Sequence, residues 1–262
     1  MNEHELREAS DVLWDHWQSG RRLSTLPERL RPRTRAEGYA VQAGLGARTT
    51  GPLFGWKIAA TSAAGQAHIG VDGPLAGRLL RERVRQLGAE VPFGVNHMCV
   101  AEAEFAFRMG SDLPPRAVPY TVAEVMAAVA TLHPAIEIPD SRFDDFTIVG
   151  AAQLIADNAC AHDFVLGPAA PDGWRLVNLA AHPVVEWVGD ARREGLGSHV
   201  LGDPRVALAW LVNELSGIGD TLRAGDVVTT GACVPPMPIA PGDHVRCDFG
   251  TLGVVDARLA TV

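Results

Sequence analysis

The run Val100–Phe107 (V-A-E-A-E-F-A-F) constrains this chain more than any other stretch. It reads as a β-strand, and strand side chains alternate between two faces. Ala101, Ala103, Phe105 and Phe107 then share an apolar face, which has to be covered by other parts of the chain. Glu102 and Glu104 sit together on the opposite face. Two carboxylates that close raise each other's pKa unless something neutralises them. Either that face is wet or a cation sits there. A third acid, Glu137, lies in a second apolar strand, Ala135-Ile136-Glu137-Ile138. Three carboxylates are hard oxygen ligands, suited to magnesium, manganese or calcium rather than zinc or copper. Spacing alone leaves open an amphipathic strand with a solvated acidic face.

The chain has 262 residues, of which 47% are hydrophobic, enough for one sizeable core with an N-terminal arm. A formal charge of -8 argues against a nucleic-acid partner. No apolar run is long enough to span a membrane. Met1-Asn2-Glu3-His4-Glu5 does not open a secretory signal. The four cysteines, Cys99, Cys160, Cys233 and Cys247, form no CxxC pair and read as reduced thiols of a cytoplasmic protein. Lys57 is the single lysine among 23 basic residues, so arginine supplies the ordinary surface charge. A lone lysine marks a place where arginine will not do, because lysine can lose its proton when desolvated. It lies in the apolar segment Gly55-Trp56-Lys57-Ile58-Ala59-Ala60, where burial is expected to lower its pKa toward neutrality.

Taken in order, residues 3–18 read as an amphipathic helix, followed by an arginine-rich stretch to Arg35 expected to be a solvated arm or a subunit contact. Thr34–Glu37 opens a second helix ending near Arg48. Residues 1–50 form this helical arm and 51–262 the main domain. A short strand is expected within 78–92. Thr121–Glu124 caps a helix running to about Leu132, which His133-Pro134 stops. Residues 150–157 read as helical and 163–166 as a strand. Strands are expected at 175–179 and 184–188. Asp203-Pro204 begins a helix that ends at Gly217. A strand at 226–230 and a hairpin of 244–249 with 254–259 close the chain. The pattern lacks regular βαβ alternation, so the fold class is α+β with a large mixed or antiparallel sheet system. His68, His97, His133, His162, His182 and His199 show no ligand spacing and read as structural.

Several stretches together resemble the fumarylacetoacetate hydrolase superfamily, in its hydratase/decarboxylase branch. They are Gly55-Trp56-Lys57-Ile58, Gly70-Val71-Asp72, Glu102-Ala103-Glu104, Pro134–Glu137, Ala156–Ala159, Gly195-Leu196-Gly197, Leu201–Pro204, Ala209-Trp210-Leu211 and Thr230-Gly231. The resemblance implies a fumarylacetoacetase-like mixed β-roll with flanking helices. It implies a magnesium or manganese site at Glu102, Glu104 and Glu137, an active-site lysine at Lys57, a further aspartate at Asp72, and Thr230 as a hydrogen-bond donor to a substrate carboxylate. Substrates are 2-oxo acids or their enols, and homo-oligomers are common. Complexes between hydratase and decarboxylase subunits also occur in this branch.

There are departures from the pattern. Hydratases of the branch usually carry an acid and then an aromatic residue where this chain has Leu75 and Ala76, and Gly202-Asp203-Pro204 stands where Gly-His-Pro is common. The leading expectation is a metal-dependent lyase that hydrates a 2-hydroxy-2,4-dienoate, as 2-keto-4-pentenoate hydratases do in aromatic catabolism. The alternative is a decarboxylase of the 4-oxalocrotonate type, which the apolar Leu75 favours. An acylpyruvate carbon–carbon hydrolase and a non-catalytic partner subunit are further readings.

Overall fold

The computed structural model describes residues 1–261. The helices are α1 (Glu3–Ser19), α2 (Arg35–Gly46), α3 (Ala63–His68), α4 (Val122–Ala127), α5 (Ala151–Ala156) and α6 (Pro204–Gly217). The strands are β1 (Gly55–Ala59), β2 (Leu75–Leu79), β3 (Val84–Arg85), β4 (Glu90–Val91), β5 (Val100–Met109), β6 (Val129–Ile138), β7 (Asp163–Leu166), β8 (Pro183–Val188), β9 (Ala191–Leu196), β10 (Val227–Ala232), β11 (Met237–Pro238), β12 (His244–Asp248) and β13 (Val254–Leu259).

One mixed sheet has the order β2-β1-β10-β5-β6-β7-β3, with β11 pairing onto the start of β5. A second has the order β4-β13-β12-β8-β9. The apolar face of β5 packs against the second sheet. There the Phe105 and Phe249 rings meet edge to face with centroids 5.0 Å apart, a favourable aromatic geometry. The mixed sheets and flanking helices are the architecture expected of a fumarylacetoacetase-like β-roll. Ala9, Leu13, Trp17 and Leu45 of the N-terminal helices form a separate apolar cluster with Leu80, Phe143 and Ala156. The arginine-rich stretch between these helices is engaged by the rest of the chain. Arg22 pairs with Asp140 at 2.5 Å and Arg35 with Glu214 at 2.7 Å.

Two local expectations are corrected. The helix begun by Thr121 ends at Ala127, and Val129–Ile138 is already strand, with Pro134 inside it. Pairing along β5 outweighs the local signal: Phe105 sits opposite Pro134, whose carbonyl still accepts from Gly167 N at 2.9 Å. Residues 175–179 form no strand. A 3-10 turn holds Trp174–Leu176, and His182 N closes a further turn onto the Leu179 carbonyl. The span 78–92 does hold short strands, β3 and β4, after the end of β2 and a 3-10 turn at Arg81–Arg83. In addition, β9 (A-R-R-E-G-L) gave no strand signal, because it is a charged, largely exposed edge strand without apolar alternation.

Candidate metal centre and substrate cavity

Four neighbouring strands present the site. In the sheet, β1, β10, β5 and β6 lie side by side. Lys57 is level with Thr229, and Glu102 is directly opposite Glu137. A register shift in β10 between Thr229 and Ala232 breaks its pairing with β5. It lets two donors converge on one carboxylate: Glu104 Oε2 accepts from the Thr229 hydroxyl and, at 2.8 Å, from Gly231 N.

Carboxylate oxygens of Glu102, Glu104 and Glu137 all lie within 4.8 Å of one another. The acidic face is therefore not a solvated one: Glu104 and Glu137 are fully buried. Glu104 Oε1 and both oxygens of Glu137 lack a hydrogen-bond partner. Glu137 Oε1 does lie 3.0 Å from Lys57 Nζ, as an ion pair without hydrogen-bond alignment. Buried oxygens left unpaired are costly, and three carboxylates gathered this closely offer the oxygen ligands that a hard divalent cation takes. The donor set thus fits magnesium, manganese or calcium.

Burial, reinforced by the charge of Glu137, pushes the Glu102 carboxyl up to about 7. Glu104 is raised well above its ordinary range by burial and by both neighbouring acids. Lys57 goes the opposite way from the expected neutralisation. Burial pulls its pKa down, but Glu137, Glu102 and Glu104 outweigh this and hold the ammonium above its ordinary range.

Lys57 Nζ also donates to the Ala159 carbonyl at 2.9 Å. That carbonyl belongs to three successive non-glycine residues in left-handed conformation, Asn158, Ala159 and Cys160, with φ of 58°, 49° and 61°. Such backbone is strained and persists only where its surroundings over-determine it. Here the Asn158 side chain bonds both Arg78 N (2.7 Å) and the Arg78 carbonyl (2.8 Å). Asp157 is clamped by Ser141 and by the buried Arg142 guanidinium. In the sequence Asn158 and Ala159 stand out only as part of a motif, without a role, and nothing marks Thr229 beyond its adjoining Thr230.

The remaining sequence candidates lie apart from this cluster. Thr230 is buried and donates to the Phe105 carbonyl at 3.0 Å. Asp72 is exposed, and neither residue lines the cavity described next. That cavity, of about 630 Å³, opens over the cluster, with Lys57 and Glu102 in its wall. Much of the rest is apolar, including Leu75, Met98, Phe146, Leu154 and Val234.

The fold and the site together define a carboxylate cluster suited to a divalent cation beneath a largely apolar cavity. The sequence profile described as fumarylacetoacetate (FAA) hydrolase C-terminal matches residues 77–260. Over 97% of this chain and 95% of its own, a 2-keto-4-pentenoate hydratase of Paraburkholderia xenovorans (strain LB400) is 31% identical. A 4-oxalocrotonate decarboxylase of a Pseudomonas species is 32% identical over 76% of this chain and 75% of its own. The structure of 4-oxalocrotonate decarboxylase from Pseudomonas putida G7, complexed with magnesium and adipate, superposes with a TM-score of 0.90 at 26% identity, covering 99% of this chain and 98% of that one. This chain belongs to the fumarylacetoacetate hydrolase family, and these relatives are lyases. Among the described residues, no helix is long and apolar enough to cross a membrane.

Proposed function

We propose that this protein is a divalent-metal-dependent lyase that adds water to a 2-hydroxy-2,4-dienoate, as a 2-keto-4-pentenoate hydratase does. The observation that carries the reading is the buried convergence of Glu102, Glu104 and Glu137 with Lys57, in the wall of a largely apolar cavity. Glu102, Glu104 and Glu137 hold magnesium or manganese. The cation, when bound, supplies positive charge against the oxyanion character that develops on a 2-oxo acid, and it offsets the carboxylate charge that keeps Lys57 protonated.

Lys57 carries the mobile proton. Its Nζ, oriented by the Ala159 carbonyl, delivers a proton to the distal carbon of the dienol and takes up the proton that the enol O–H gives up, so the ammonium is restored. The product is a conjugated 2-oxo-3-enoate, to which water then adds. The base for that water is assigned to His199, which lines the cavity. Its Nδ1 is tied to the Cys233 carbonyl at 2.9 Å, which leaves Nε2 as the free ring nitrogen. Thr229 orients Glu104. Thr230 supports β5 from outside this set, through its hydrogen bond to the Phe105 carbonyl. The enzyme works in the cytoplasm as a homo-oligomer, or in complex with a related subunit.

The test is direct. Purified protein is mixed with 2-hydroxypenta-2,4-dienoate and Mg²⁺, products are followed by NMR, and the experiment is repeated with EDTA. Metal-dependent formation of 4-hydroxy-2-oxopentanoate supports the reading. Its absence, with the metal bound, overturns it.

A second reading is favoured by Leu75, which is fully buried and lines the cavity where hydratases of the branch usually carry an acid. A decarboxylase of a 2-oxo-3-enedioate needs no water-activating acid there. Release of CO₂ from that dicarboxylate, with no hydration of the dienoate, would select it.

A further inference from the structure

We infer that the cavity is built for a 2-oxo acid bearing one carboxylate and an apolar tail longer than that of a five-carbon dienoate. This rests on the reading that the site takes 2-oxo acids, and it names which ones. The first ground is size. 2-Hydroxypenta-2,4-dienoate has eight non-hydrogen atoms. Even at the ~30 Å³ that a water molecule occupies in the liquid, they fill about 240 Å³. That is well under half of the roughly 630 Å³ present.

The second ground is chemistry. Beyond Lys57 and Glu102, Thr61, Ser62 and two histidines add polar groups, and most of the remaining wall is apolar, including Ile69, Met98, Phe146, Leu154 and Val234. These surfaces gain from contact with hydrocarbon. A second carboxylate finds no arginine among the lining residues. The single lysine is already engaged by Glu137 and the Ala159 carbonyl. Of the two lining histidines, His68 lies edge-on to Phe146 with ring centroids 5.9 Å apart, and His199 turns Nδ1 to the Cys233 carbonyl while its Nε2 is the nitrogen assigned to the reacting water. A distal carboxylate would lose its hydration there with no guanidinium or free ammonium to replace it.

The inference is tested with unreactive ligands, so that binding is read apart from turnover. The Mg²⁺-loaded protein is titrated calorimetrically with 2-oxopentanoate, 2-oxohexanoate and 2-oxooctanoate, and with the dicarboxylate 2-oxoadipate. Burial of each added methylene is expected to lower Kd about three- to fourfold. 2-Oxoadipate is expected to bind at least tenfold more weakly than 2-oxohexanoate. In Met98→Trp, which takes up cavity space beside the apolar wall, the preference for the eight-carbon over the five-carbon acid is expected to fall about tenfold. A flat chain-length series, tighter binding of 2-oxoadipate, or an unchanged preference in the variant overturns the inference while leaving the 2-oxo acid reading intact. Failure of every acid to bind the metal-loaded protein overturns both.

Discussion

Lys57 Nζ and Glu137 Oε1 lie 3.0 Å apart, with the two side chains only 3% and 0% exposed. Neither charge has water to fall back on, so each depends on the other and on what joins them. Removing one partner of such a pair leaves an uncompensated buried charge, which is costly. The pair also connects two parts of the site. Glu137 belongs to the carboxylate cluster, and Lys57 reaches the strained turn at Asn158–Cys160 through the Ala159 carbonyl.

Lys57→Arg is expected to lower the rate of substrate protonation by about 10²–10⁴-fold, because the guanidinium keeps its proton and does not match the ammonium's geometry. Stopped-flow or steady-state rates check this. Because Lys57 is the only lysine, ¹⁵Nζ labelling gives a single side-chain signal. In EDTA that signal should stay in the ammonium form beyond pH 10.5, and Mg²⁺ should shift its titration downward. A neutral amine at pH 8 in EDTA would contradict the electrostatics described.

Glu104→Gln is expected to weaken Mn²⁺ binding more than about 100-fold, since loss of outer-shell partners alone costs about 10–100-fold at metal sites. Thr229→Val, which removes only the hydroxyl donor to Glu104, should fall in the range of about 10-fold. Mn²⁺ titrations followed by electron paramagnetic resonance separate the two. Metal at about 100 times its Kd should stabilise the wild type by about 2.7 kcal/mol and raise its Tm by roughly 5–10 °C. The Glu104→Gln protein should show little of this rise.

The stability of the metal-free protein should fall with rising pH. Burial and the Glu102 charge hold Glu186 up to about 8, and Glu102 itself is raised to about 7. Between pH 4.5 and those values the folded protein keeps protons that the unfolded chain has released. Stability therefore drops as pH rises through the window, by about 1.4 kcal/mol per pH unit for each group while the two states differ. Urea denaturation in EDTA from pH 5 to 8.5 measures it. Glu186→Gln should flatten the slope; an unchanged slope would remove Glu186 as a cause.

Gly77→Ala should disable the site from the neighbouring strand. A Cβ at this position would meet the Asn158 carbonyl at 2.3 Å and Lys57 Cδ at 3.1 Å. Both neighbours belong to the apparatus that holds Nζ, so the turn has to move. Activity is expected to drop at least ~100-fold, since misplacement of about 1 Å in a catalytic constellation can cost that much. Activity near the wild-type value would show that the turn does not position Lys57.

Much of this protein could be read along its own chain. Alternation placed Glu102 and Glu104 on one face of a strand, since a period of two leaves no other arrangement. Asp203-Pro204 and Gly217 marked the ends of α6, because capping chemistry is local. The lone lysine stood out in composition, and motif order pointed to the family. Other features needed residues far apart in the chain. Strand pairing brought Glu137 opposite Glu102, and only then did three acids become one cluster. The protonation of Lys57 reversed the local expectation because three distant carboxylates outweigh the burial of one amine. The extension of β6 through Pro134, the shift in β10 that frees Thr229 and Gly231 for Glu104, and the Asn158–Cys160 turn likewise come from long-range packing. Charge, burial and register sum over neighbours in space, and the sequence orders neighbours only along the chain.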